Sequence, residues 1–448
     1  MLELLYIILY LLCFSELIFF VFRNSKKGRI SAAYNGVSFA IFIFYILIPI
    51  LCILFKNDLL LFEKNSVIYK FYSHFTVYDY IIGVSPYKVI LSILLVMMFI
   101  FFFNLFYGTY YTPKKGKEKK KISNEVLLPI LVYFTFAVGS ISLFLLIDSM
   151  GGLSMALANA EYYRSFYNEL SSSIGWKSIF LISSKFITVT PFLCWYLING
   201  PYTKKTSYRY IFVISIALSV IYFLFNAGRT PLLLFIICFF YAFLKKKHNI
   251  KHLWFKLIIC GILALPLLDV LDWLFVYLKT GEKFNVAIDY IKYLYEIMPP
   301  YRNLLNVTDI VASYGLRFGK DFIYAFVDII PGISVTPSYV NTSLYINGTK
   351  WKIIGGIPND LITFSYLQLG ALGVGIVASF LGRMLKVIDS KLETLKNING
   401  KNLFSAILTT NLFAIVLTAD FITIIKSQFL LIIVLILLFN ANEDDKNE

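Results

Sequence analysis

Charge is scarce in this chain: Asp, Glu, Lys and Arg make up 15% of its 448 residues, against 59% hydrophobic. Mean hydropathy is +0.75, more apolar surface than a soluble core can hide, which leaves the bilayer as the solvent. Histidine is rarer still. Of the three, His74 stands alone, and His248 and His252 lie four apart in a Lys-rich loop without a third ligand nearby, so the spacing makes no metal site. The five cysteines (Cys13, Cys52, Cys194, Cys238 and Cys260) all fall in apolar runs, so no disulfide framework is expected. HExxH, CxxC, Walker A and nucleophile-elbow motifs are absent, and with them the chemistries those motifs support. No internal repeat is evident and the two halves do not mirror each other, which weakens the case for a transporter built on inverted repeats.

What the chain has is long apolar runs. About 20 such residues cross roughly 30 Å of hydrocarbon as a helix, and the runs lack the alternation of barrel strands. The expected fold is an all-α polytopic membrane protein, a single integral membrane domain over 1–448. Eleven spans are expected, at about 2–22, 32–55, 89–111, 126–148, 177–199, 210–226, 231–244, 253–276, 361–384, 403–423 and 427–440. The first lacks a basic n-region and a cleavage site and reads as a retained span. Basic loops at 23–29, 112–121, 203–209, 245–251 and 385–402 alternate with loops poorer in Lys and Arg. The positive-inside rule assigns those five to the cytoplasm, with the N-terminus outside and the acidic tail inside. The net charge of +15 is then mostly a topology signal, with some attraction to anionic lipid, and it calls for no nucleic acid.

Three outward loops result, at 56–88, 149–176 and 277–360. The last runs from Tyr277 to Asp360, about 84 residues too polar to cross a membrane, with eight basic residues and the Gly/Pro-rich passages "VDIIPGISVTPSYVNTS" and "KIIGGIPNDL". Apolar spacing predicts interfacial helices over 285–298 and 319–330, the first broken by Pro299-Pro300 and the second ended by Pro331-Gly332. In the 149–176 loop, Tyr162, Tyr163, Phe166 and Leu170 share a helical face suited to the interface.

Arg229 is the sharpest single signal. It stands in "FLFNAGRTPLLLF", between two spans joined by almost nothing, where a guanidinium is costly unless paired or bound to an anion. Gly228 permits an unusual turn beside it, and Pro231 suits the first turn of the next helix. Such a position favours bidentate binding of phosphate over the alternative, a hairpin Arg resting on lipid. Arg302, Arg317 and Lys320 in the long loop, with Arg164 in the second, add outward cations; together they would line a pyrophosphate site, whereas any one alone is a solvated charge. A base for a sugar hydroxyl would come from Asp309, Asp321, Asp328, Asp360, Glu161, Glu169, Asp269, Asp272 or Asp420. Lys185, mid-span in "SSKFITVTP", is expected to pair with an acid or line a wet cavity.

Three stretches carry a resemblance: "NAGRTPLLLF" (226–235), "YGLRFGKDFIYAFVDIIPG" (314–332) and "GGIPNDLITFSYLQLGALGVGI" (355–376). With the span layout, they make the chain resemble bacterial oligosaccharide repeat-unit polymerases, the Wzy type of O-antigen, capsule and enterobacterial common antigen synthesis. In that family a short Gly-Arg or Thr-Arg turn opens an apolar span, and a later Gly-x-x-Pro step leads into a span with a G-x-x-G pattern. The matching positions are Arg229, Gly355, Gly356, Pro358, Gly370 and Gly373. Many members have an acid or a serine soon after the Gly-x-x-Pro step; this chain has Asn359 and Asp360.

The resemblance implies glycosyl transfer at the outer face of the bacterial cytoplasmic membrane. A growing glycan on undecaprenyl pyrophosphate would move onto the next lipid-linked repeat unit. The catalytic set is then expected at Asp309, Asp360 and Arg317, and the lipid-linked substrate at Arg229, Arg164, Arg302, Lys320, Gly228, Gly356 and Pro358. No cofactor and no metal are implied. The partners are the undecaprenyl-pyrophosphate-linked oligosaccharide and membrane lipid, with a chain-length regulator and a flippase alongside. An O-antigen ligase and a lipid-linked oligosaccharide flippase are the competing readings, and the long outward loop argues against the flippase.

Overall fold

The computed structural model describes residues 2–26, 32–65, 83–108, 124–160, 176–200, 205–225, 229–247, 270–271, 273–274, 277, 290–327, 359–395, 398–419, 421, 424–425 and 428–440. Every regular element among them is helical. The chain begins with α1 (Leu2–Lys26), α2 (Ala32–Phe42), a π-helical turn (Ile43–Leu47), α3 (Ile48–Leu54), α4 (Lys56–Asn65) and α5 (Pro86–Tyr107). It continues through α6 (Asn124–Ser149), α7 (Leu153–Ala158), α8 (Trp176–Ser184), a 3-10 segment (Lys185–Thr188), α9 (Thr190–Asn199), α10 (Lys205–Phe225) and α11 (Arg229–Lys247). Four short helices follow: α12 (Tyr290–Ile297), α13 (Pro299–Leu305), α14 (Val307–Tyr314) and α15 (Lys320–Val327). The last three are α16 (Leu361–Glu393), α17 (Ile398–Leu417) and α18 (Phe429–Asn440).

The chain is an all-α polytopic membrane protein. Among the described residues eight helices are long and apolar enough to cross a bilayer, and two shorter apolar ones occupy Pro231–Phe243 and Phe429–Phe439. These coincide with the expected spans except the eighth, 253–276, most of which lies outside the described residues. The expected break at Pro299-Pro300 takes another form. Those prolines open α13 at its first positions, where a missing N–H costs nothing, so α12 and α13 follow each other almost without a loop. Cys13, Cys52, Cys194 and Cys238 are buried and unbridged.

The described helices group into two compact units. One draws on Met1–Tyr111, Asp289–Val387 and Leu412–Ile425; the other draws on Thr112–Ile288, Ile388–Asn411 and Lys426–Glu448.

In the second unit a proline sets the central irregularity. Pro191 has no N–H to offer the carbonyl of Ile187 four residues back, and the chain there is 3-10 rather than α. Ile187 O accepts from Ser219 Oγ at 3.1 Å instead, so α10 supplies the bond that the span cannot make. Gly139 on α6 lets that helix close on the irregular turn, because a Cβ there would overlap Ile187 N. Thr190 Oγ1 adds a bond to Thr135 Oγ1 at 3.0 Å. Lys185, half-buried, opens the 3-10 segment.

The first unit repeats the device. Pro49 withholds a donor from Tyr45 O, and the ladder slips to i→i+5, with Ile48 N–H bonded to Ile43 O. Small residues again permit close contact: a Cβ at Gly382 on α16 would overlap the Phe103 carbonyl of α5. Polar side chains face inward, as in the buried chain from Asn24 to Tyr34 to Asn104, at 3.2 and 2.5 Å.

Gly382→Ala is expected to destabilise by about 1–3 kcal/mol, because the added methyl meets backbone that cannot swing away. Gly375→Ala, where the methyl would meet only the Phe102 ring at 3.5 Å, is expected to be neutral or slightly stabilising. Thermal unfolding midpoints in detergent compare the two.

Candidate functional site

The site begins with a break. Regular helix gives way inside α16 at Leu369 (φ −144°, ψ 25°) and Gly370 (φ 63°, ψ −148°), the second a conformation that only glycine adopts readily. The chain folds back sharply there. A Cβ on Gly373 would overlap the Ser365 carbonyl oxygen, although eight residues of straight helix would separate them by about 12 Å. Leu361–Gln368 is therefore a half-helix of its own, and both of its ends are held.

At its C-terminal end the carbonyls of Leu367 and Gln368 have lost their helical partners. Arg317 N–H bonds to Leu367 O at 2.8 Å and Phe318 N–H to Gln368 O at 2.9 Å. Gly319 N–H donates to Gln368 Oε1 at 3.2 Å. The turn that offers these donors, Gly315–Gly319, is strained. Gly315 and Gly319 have φ of 71° and 79°, and Phe318 is held at φ 48°, the one non-glycine residue with positive φ among those described. Arg317 then reaches forward onto α15: its Nε and Nη2 donate to Asp321 Oδ1 at 3.0 and 2.9 Å. Asp321 Oδ2 accepts from Gln368 Nε2 at 2.6 Å, which closes the network. Asp321 is buried, so pairing of this kind is what makes its charge tolerable. The Tyr324 ring lies 5.7 Å from the Arg317 guanidinium.

At its N-terminal end the half-helix is capped by Asp360. One oxygen, Oδ1, accepts from Ile362 N–H at 3.1 Å, Thr363 N–H at 3.0 Å and Tyr45 OH at 2.6 Å. Tyr45 sits in the π-turn, so the irregular turn of the second span aims its hydroxyl at the cap. Ala419 N–H, just past the end of α17, bonds to Asn359 O at 2.8 Å. Oδ2 of Asp360 is buried without a hydrogen bond. Burial pushes the Asp360 carboxyl up to about 6, against the hydrogen bonds from Thr363 and Tyr45 that pull it down.

A second polar layer lies along α12–α14. Tyr295 OH donates to Glu63 Oε1 at 3.1 Å, and Lys88, in the first turn of α5, pairs with Asp309 at 2.5 Å. Arg302, Asn303 and Asn306 are buried on or beside α13. Tyr301 meets Tyr10 edge to face, with ring centroids 6.3 Å apart.

The sequence candidates are thus distributed unevenly. Arg317 and Asp321 are brought together, and Arg317 is an ion-paired residue, not a solvated outward cation. Arg302 is buried within α13, while Lys320 is exposed. Asp309 keeps a half-exposed carboxylate beside Lys88, and Asp360 is fully enclosed. Arg229 opens α11, but its side chain, with Gly228, Arg164, Gly355, Gly356 and Pro358, lies outside the described residues. So do His74, His248, His252, Glu161, Glu169, Asp269, Asp272, Asp328 and Asp420. Among the described residues no group of three or more His, Cys, Asp or Glu comes together as a metal site.

Sequence reasoning missed Tyr45 and Gln368. Gln368 left a signal, as the one amide side chain between Leu361 and Arg383, two residues before Gly370. Tyr45 left a weaker one, the proline four residues on.

Asp321→Ala is expected to destabilise by about 3 kcal/mol, since it leaves Arg317 without its partner. The double variant Arg317→Met/Asp321→Leu should recover much of that loss in chemical unfolding. For Asp360 the sign runs toward acid. The folded-state pKa near 6 lies above the ordinary 3.8, so stability falls as pH rises between those values and is flat above. The total loss is about 3 kcal/mol. Asp360→Asn keeps an Oδ1 acceptor, removes the ionisation, and is expected to unfold at a higher temperature than the parent at pH 7.

No protein-family model, curated protein or solved structure matches the chain.

Proposed function

We propose that the chain is a lipid-linked-donor glycosyltransferase, polymerising undecaprenyl-pyrophosphate-linked repeat units at the outer face of the bacterial cytoplasmic membrane. The N-terminus is outside and the C-terminus cytoplasmic, following the alternation of basic loops. One observation carries this reading. Two of the three stretches that carry the family resemblance, 314–332 and 355–376, bond directly to each other through Arg317, Phe318, Gly319, Asp321 and Gln368. Segments about 50 residues apart in sequence form one site, with the polar side chains of Asp321 and Gln368 buried in it.

The chemistry assigns distinct roles. The acceptor hydroxyl oxygen attacks the anomeric carbon of the growing glycan, and its proton passes to a carboxylate. The bond to pyrophosphate breaks, and its electron pair leaves on undecaprenyl pyrophosphate. Asp309 is better placed than Asp360 to take the proton, because its carboxylate is 36% exposed while Asp360 is enclosed as a helix cap. By the family resemblance, the charge that develops on the pyrophosphate falls to cations of the outward loops, Arg229 first among them. Arg317 acts through Asp321 as a positioning residue for the turn that presents Lys320.

A second reading, a lipid-linked oligosaccharide flippase, is favoured by one feature: each unit contains an interrupted span, at Lys185–Thr188 and at Leu369–Gly370. Purified protein in vesicles, given lipid-linked repeat unit alone, separates them. Polymer formation supports the first reading and flipping without extension the second; a ligase would do neither until a second acceptor is added. Arg229→Ala is expected to abolish long polymer while the protein still inserts. Asp309→Asn should reduce the rate by about 100-fold or more, and Asp360→Asn much less. A normal ladder of chain lengths from Arg229→Ala, or from Asp309→Asn, would remove the role assigned to that residue.

A further inference from the structure

Helix α15 is inside out. Its acid, Asp321, is buried against Arg317 and Gln368, whereas Ile323 and Phe326 face outward at 65% and 61% exposure, as does Phe318 before them at 67%. Lys320 is the exposed charge of the segment 318–327. Neighbouring short helices show another mix, exposing Tyr290, Glu296 and Ile297 on α12 and Ala312 and Ser313 on α14. The inversion of α15 is that of the spans. α16 buries Thr363, Ser365 and Gln368 while Leu372, Ile376 and Phe380 point outward.

Depth agrees with exposure. No charged residue occurs in α16 before Arg383, which is exposed and so marks the headgroup level at that end. From Arg383 back to Gly370 is 13 residues (383 − 370), about 20 Å of helix, short of the roughly 30 Å hydrocarbon thickness. The break, and the turn bonded to Leu367 and Gln368, therefore fall within the slab. Irregular backbone at that depth is tolerated only where protein satisfies its polar groups, and the bonds from the Arg317, Phe318 and Gly319 amides do so.

We infer that the Gly315–Gly319 turn and α15 are seated in the bilayer, with Phe318, Ile323 and Phe326 against the acyl chains of the leaflet that meets the Leu361 end of α16. The occupant of this apolar face is lipid because the face continues the outward apolar surface of α16 at Leu369 and Leu372. Lys320 lays its stem along that surface and carries its ammonium toward the headgroups.

Depth-dependent quenching tests this in the full chain in phosphatidylcholine vesicles. An environment-sensitive fluorophore is placed on Ile323→Cys, on Phe326→Cys and, as reference, on Ser313→Cys, with unsubstituted protein giving the background from native cysteines. Nitroxide on the acyl chains is expected to quench positions 323 and 326 several-fold more than 313, and aqueous iodide to do the reverse. Iodide quenching at 323 and 326 equal to that at 313 overturns the inference. Protection from both quenchers also overturns it, since a second copy or another protein would then cover the face. Unsubstituted protein gives an independent answer. A phosphatidylcholine bearing an acyl-chain diazirine should label peptides covering 318–326 as well as 372–380; labelling of 372–380 alone overturns the inference.

Discussion

The candidate site of the first unit depends on an exchange of backbone hydrogen bonds. A helix that breaks inside an apolar slab exposes carbonyls that nothing in lipid can satisfy. A strained turn has amides in the same difficulty. Here each supplies what the other lacks: Arg317 and Phe318 offer N–H groups, and Leu367 and Gln368 offer carbonyls. The side chains then reinforce the backbone, since Gln368 bonds both to the turn and to Asp321. Without the break the turn has no acceptors, and without the turn the break has no donors. Gly370 matters because it adopts the backbone angles that expose those carbonyls, and Gly373 because the returning helix must pass Ser365 with no side chain between.

The two units solve a related problem with proline. Pro49 and Pro191 each remove one donor from a span, and in each case the local helix changes type. The consequences differ because the neighbours differ. In the second unit Ser219 repairs the freed carbonyl, and the result is a tightly packed crossing with Gly139. In the first, the π-turn swings Tyr45 onto Asp360, joining the second span to the half-helix. A proline in a span is thus a local subtraction whose meaning is decided by the hydroxyl that faces it.

The fold was largely legible because its signal is long-range and redundant: each span is some twenty apolar residues, and a boundary error of a few residues changes nothing essential. The site was legible only in part. Gly370 and Gly373 stood out through the family resemblance, and Asp321 and Arg317 as charges of the long loop about 50 residues earlier, but the bonds that join the two segments need the back-fold at Leu369, which no periodicity announces. Arg302 reads as a surface cation in any linear inspection, since "PPYRNLL" is polar enough for a loop. It is buried within the helix that the two prolines open just after α12 ends. Asp360 was visible as a carboxylate, whereas its cap role depends on Tyr45, more than 300 residues earlier.

The separation between Arg317 and Leu367 also has a consequence in time. The turn is synthesised about 50 residues before the carbonyls that it bonds, which at 5–20 residues per second is roughly 3–10 s. During that interval the Arg317–Asp321 pair, an i,i+4 contact within one short segment, is already available. It renders the segment electrically neutral apart from Lys320 before its acceptors exist. Of the contacts that fix this turn, the ion pair is thus one that does not have to wait for the chain that completes it.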